Sequence, residues 1–221
     1  MASAFGILVG FVIVFLLGQA NDGRTAIGNE ATSIGTAFDE AQLFPVGEPM
    51  IQHALICYSR AVTEIEWDAM AKHESAPEVD QAYRELVAVY GDIDEPTDGA
   101  FQPAAATNSF AQIGGISTAR ETRLEIASNV VSPLLWGLLA GSAALVLLLL
   151  FVVTVHAKPI PQAILLGLAS MFTVVLLLLV LTLSSPYGET SAPLTPELIE
   201  DNTDRMVALA PEVADEPCSF E

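Results

Sequence analysis

The 221 residues carry 27 Asp and Glu against 8 Lys and Arg, a formal net charge of −19. With no basic surface to neutralise phosphates, nucleic acid is excluded as a natural partner. The acid is unevenly placed. Residues 21–132 hold 18 acidic against 6 basic side chains and residues 185–221 hold 9 against 1, whereas residues 134–155 and 160–183 hold no charge at all.

In chain order, the first element is an apolar run over residues 3–19. Gly18-Gln19-Ala20 would suit signal cleavage, but Met1-Ala2-Ser3-Ala4 lacks the basic start of a signal peptide. The run is therefore read as a retained span, transmembrane helix 1, over residues 1–20. Gly6 and Gly10 set a small-xxx-small step on it for helix packing.

Residues 21–132 read as an acidic helical segment. A helix over 29–43 stops at Phe44-Pro45. A long amphipathic helix over 49–73 has Ile51, Leu55, Tyr58, Val62, Ile65 and Met70 at spacings of three and four, and another helix covers 77–90. Pro49 and Pro77 suit first-turn positions, where a missing N–H costs nothing. Residues 92–103, with Pro96, Gly99 and Pro103 among acids, read as a loop. A last helix from about Ser117 is expected to run unbroken into the second span, with Pro133 at the membrane boundary and Trp136 in the interfacial belt.

Residues 133–184 form a transmembrane hairpin split by His156-Ala157-Lys158-Pro159. Its two runs, at about 1.5 Å per residue, reach roughly 33 to 36 Å, enough for a hydrocarbon core of about 30 Å. Gly137 and Gly141 repeat the small-xxx-small spacing. In the tail, 185–221, the chain breaks at Pro186 and Gly188. Thr195-Pro196 opens a short helix to about Ala210 that can dock on the other helices, and 211–221 reads as disordered.

The architecture expected is an all-α integral membrane protein with three transmembrane helices and a helical segment between the first and second. Arg24, Arg120, Arg123 and Arg205 lie on one side of the spans and Lys158 on the other. By the positive-inside bias the large segment and tail are cytoplasmic, in a multi-pass protein of the inner (plasma) membrane. Cys57 and Cys218 lack the spacing of a disulfide framework, so nothing calls for an oxidising compartment, and Cys57 reads as a small buried hydrophobe. His53 lies one turn from Cys57, but two ligands do not make a metal site, and neither metal nor cofactor is expected.

Within the spans only Thr154, Ser170, Thr173 and Thr182 add polar side-chain atoms. A coupled transporter would keep an ionisable group at that depth, whereas a pore that gates by dewetting needs none. No nucleophile elbow, phosphate loop or His-Glu-x-x-His helix is present, so an enzyme is not expected. Arg120 and Arg123, next to a span, call for an anionic side chain or a lipid phosphate, and Glu66 is the candidate for a structural ion-pair tie.

Phe5-Gly6 through Phe15, Asn29-Glu30-Ala31, Phe44-Pro45, Tyr58, Val62, Glu66-Trp67, Arg120, Arg123-Leu124, Pro133, Trp136 and Pro186-Tyr187-Gly188 together form a pattern. It resembles the bestrophin-like bacterial membrane proteins, a domain of unknown function. Against their usual four spans this chain begins at the equivalent of the second. The resemblance implies a mostly helical subunit related to bestrophins, which are pentameric anion channels. It also implies that the first span lines the axis, with Leu8, Phe11 and Phe15 as the pore constriction. The partners are then the lipid bilayer and further copies of the chain. The alternative is a non-conducting accessory subunit beside another membrane protein.

Overall fold

The computed structural model describes residues 2–74, 76–92, 101–128, 131–156, 158–184, 186–187 and 194–219. Among these every regular element is helical: α1 (Ala2–Glu40), α2 (Glu48–Ala61), α3 (Trp67–Ala71), α4 (Pro77–Asp92), α5 (Phe101–Ser128), α6 (Pro133–Thr154), α7 (Pro159–Leu183), α8 (Glu197–Leu209) and α9 (Pro211–Ala214). A 3-10 turn (Ala41–Leu43) closes α1, and a π-turn (Val62–Glu66) joins α2 to α3. Three helices, α1, α6 and α7, are long and apolar enough to cross a membrane.

Several helix boundaries differ from those expected. No break separates the first span from the polar stretch after it: α1 runs 39 residues, about 58 Å at 1.5 Å per residue. Neither Asn21 nor Gly23 stops it, because tertiary packing on α5 and α8 supplies what propensity lacks. The expected continuity of α5 with the second span is also corrected. α5 ends at Ser128 and α6 starts afresh at Pro133, capped by the Ser132 hydroxyl, which accepts the Leu135 N–H at 3.3 Å. The reason lies in Pro133, whose ring pushes Ser132 into an extended conformation, ψ 144°. α5 in turn starts at Phe101, well before Ser117, with Pro103 in its first turn where no N–H is needed. The loop expected over 92–103 falls, for residues 93–100, outside the described residues, as does Gly188.

Two cores result. Phe5, Val9, Val12 and Leu16 of α1 pack with Leu139, Ala143 and Val180 between the three spans. Beyond them, Ile27, Ile34 and Phe38 of the same helix join Ile51, Leu55 and Tyr58 of α2, Leu86 of α4 and Ile116 of α5. One helix thus feeds both cores from one side and leaves its other side uncovered.

The tail is ordered rather than disordered beyond Pro211. α9 follows α8, and Cys218 is disulfide-bonded to Cys57 of α2, 161 residues away. Both expectations are overturned for the described residues: Cys57 is not a free hydrophobe, and the tail is held at Cys218. Wide sequence separation hid a pair whose Cα atoms lie 5.5 Å apart in space.

Candidate functional site

Glu66 sits at the end of the π-turn and is 1% exposed. The extra residue in that turn rotates the following chain, as π-turns do, so that a carboxylate follows buried Val62 into the interior. Arg120 and Arg123 are three apart on α5 and therefore share a face. The structure brings all three together: Arg120 Nε donates to Glu66 Oε1 at 2.8 Å, and Arg123 Nη2 donates to Glu66 Oε2 at 2.6 Å.

The pairing extends beyond the expected residues. Arg123 is wholly buried and also donates from Nε and Nη2 to the two Glu30 oxygens at 2.9 and 3.1 Å. Glu30 is itself fully buried and accepts the Tyr58 hydroxyl at 2.7 Å. Arg120 reaches out to Asp80 at 2.7 Å. Trp67 packs 5.3 Å from the Arg123 guanidinium, close enough for cation–π attraction. Burial by itself would weaken the hold of Arg123 on its proton, but Glu30 and Glu66 outweigh it and the net shift is upward. The Tyr58 hydroxyl is pushed well above its usual range, first by burial and then by the Glu30 charge. Four elements, α1, α2, α4 and α5, are thus joined to the π-turn by one paired network. Sequence reasoning missed Glu30. The available signal was a lone carboxylate on the apolar line of Ile27 and Ile34 in α1, a place where a charge persists only if paired.

The uncovered side of α1 is the second feature. Phe11 and Phe15 are 71% and 61% exposed, while Leu8 turns partly into the core of the spans. In helical register with Phe11 lie Gly18, Asp22, Thr25, Asn29 and Thr32, all at least partly exposed. Thr25 and Thr32, with Thr118 and Thr122 across the groove on α5, donate their hydroxyl protons to carbonyls four residues back. Between the two helices this face forms a groove of about 630 Å³.

Gly6, Gly10, Gly137 and Gly141 meet nothing within the subunit; a Cβ at any of them would have no described atom within 4 Å. The close approaches are at Gly23, against Leu194 and Tyr187, at Gly35, against Asn202, and at Gly115, against Ser33. No group of three or more potential metal ligands occurs among the described residues, and the Cys57 sulfur is committed to Cys218.

A family model for the Bestrophin-like domain matches residues 1–191. The chain belongs to the Bestrophin-like family. No curated protein matches it. Among solved structures, a mutant of a bacterial bestrophin homolog from Klebsiella pneumoniae superposes with a TM-score of 0.75 at 11% identity, over 97% of this chain and 85% of that one. At that identity the match speaks for the fold. The bestrophin-like chain is accordingly an all-helical membrane protein whose spans and polar helices form one subunit.

Proposed function

We propose that copies of this subunit close into a ring around α1 and form an ion-conducting pore. The observation that carries this is the uncovered stripe of α1, which passes from phenylalanine within the span to glycine, aspartate, asparagine and threonine beyond it without leaving one line. A lipid-facing helix would stay apolar beyond Phe15 only as far as the bilayer extends. Beyond the span the stripe of this acidic protein carries a single carboxylate, Asp22, and otherwise glycine, asparagine and threonine. Phe11 and Phe15 are then the apolar constriction, Leu8 its buttress, and the threonine groove the vestibule. Gly6 and Gly10 on α1, and Gly137 and Gly141 on α6, open inside the subunit, offer close approach to neighbouring copies or to lipid. The polar helices and tail face the cytoplasm of a cell with an inner membrane, by the arginine bias.

The family resemblance suggests anions. The vestibule chemistry favours cations instead: its threonine protons are donated inward, so acceptor lone pairs and Asp22 face the water. Reconstitution in planar bilayers under a salt gradient tests both points. Conductance with a reversal potential toward that of the cation is expected, and Phe11→Ala or Phe15→Ala should alter the unitary current. Unchanged current in both variants removes the constriction, and a silent protein that co-purifies in fixed ratio with another membrane protein supports the accessory reading.

A further inference from the structure

After the third span the chain returns to the polar helices and is fastened there. α8 buries Ile199 and Met206, and its Asn202 side chain donates to the Ala31 carbonyl of α1 at 2.6 Å. α9 then leads to Cys218, bonded to Cys57. Cys57 also lines a cavity of about 390 Å³ with Met50, His53, Glu85 and Glu216. His53 stands beside the sulfur. Its Nδ1 lies 3.1 Å from the Val213 carbonyl, which can only accept, so Nδ1 is the donor there and Nε2, 3.5 Å from Cys57 Sγ, is the nitrogen turned to the sulfur. A disulfide that serves only as a staple needs neither an opening nor a base.

We infer that Cys57–Cys218, with His53, is a thiol–disulfide exchange site at which a small neutral or cationic thiol opens the strap holding α8 and α9. His53 Nε2 takes the proton of the incoming thiol. The thiolate attacks Cys57 Sγ, the Cys57–Cys218 bond breaks, and the Cys218 thiolate leaves and takes the proton from His53. A second thiol displaces Cys57 from the mixed disulfide. Two thiols are oxidised to one external disulfide, and the protein disulfide is reduced to two thiols. Glu85 and Glu216 put negative charge at the cavity, which disfavours anionic thiols. Once open, the tail has lost the closure of a long loop and is held only by the noncovalent contacts of α8 and α9.

The test uses the whole protein in nanodiscs without denaturant. Reduction by cysteamine and by mercaptoethanesulfonate, compared at equal thiolate concentration, is followed by alkylation and mass. Cysteamine is expected to reduce the bond faster, His53→Gln to slow it by about tenfold or more, and hydrogen exchange in α8 to rise by about tenfold on reduction. The oxidised His53→Gln protein should keep the α8 protection of the parent, which separates chemistry from folding. A bond that yields only in denaturant, a His53→Gln rate equal to the parent's, or α8 protection unchanged by reduction would each overturn the inference. None of these readouts depends on conduction.

Discussion

Arg123 is the side chain whose loss the fold tolerates least, because Glu30 and Glu66 would remain buried with half their compensation gone. Breaking a buried pair by removing one partner costs about 3 to 5 kcal/mol, and Arg123→Met should lower the unfolding free energy in detergent by that amount. A loss of less than about 1 kcal/mol would show that water reaches the network. Tyrosine supplies a second prediction at this scale. Tyr58, Tyr90 and Tyr187 all have hydroxyls pushed above their ordinary value, in each case chiefly by burial. Below about pH 10 they are protonated whether the chain is folded or not, and their contribution is fully present. Above it the unfolded chain sheds these protons first, so stability should fall as pH rises from about 10 to about 12, with tyrosinate absorbance appearing together with unfolding. Tyrosinate formed at Tyr58, Tyr90 or Tyr187 before any loss of helix would contradict this. At the residue scale the Glu66 pairing could be argued from sequence, since two arginines three apart beside a span need an anion. For Glu30 the line of Ile27 and Ile34 signals burial and so a need for pairing, but not the partner, because 93 residues separate it from Arg123 and only packing brings α1 to α5.

Helices carry the next scale. Close approach is made at Gly23, where a Cβ would lie 2.7 Å from Leu194 and 3.3 Å from Tyr187. Gly23→Ala is therefore expected to destabilise by about 1 to 3 kcal/mol through overpacking. Gly137→Ala, with open space around it, should leave subunit stability unchanged or raise it by up to about 1 kcal/mol through helix propensity. Thermal unfolding of the two variants side by side checks the contrast, and equal effects would place the tail elsewhere than on α1. The small-xxx-small spacing drew attention to Gly6, Gly10, Gly137 and Gly141, yet the tight contacts fall at Gly23, Gly35 and Gly115. Spacing describes one helix, whereas a contact needs the opposing surface. Element ends followed the same division. Pro49, Pro77 and Pro133 announced helix starts because ring geometry is local, while α1 ran through Asn21 and Gly23 because neighbours held it.

For the whole molecule, the decisive quantity is the number of copies. Native mass measurement in nanodiscs is expected to give a closed ring of identical subunits, and a stable monomer would withdraw the pore while leaving the fold in place. What the sequence by itself determined is the membrane character, the all-helical class and the acidic surface, because hydropathy run length, proline placement and charge are properties of the chain read locally. Tertiary structure alone decided that Glu30 completes the Arg123 network, that Cys218 finds Cys57 and orders the tail, and that one stripe of α1 stays uncovered from Phe11 to Thr32. Each of these depends on which distant segments share space, and a contact across 93 or 161 residues leaves no periodic trace in the chain that makes it.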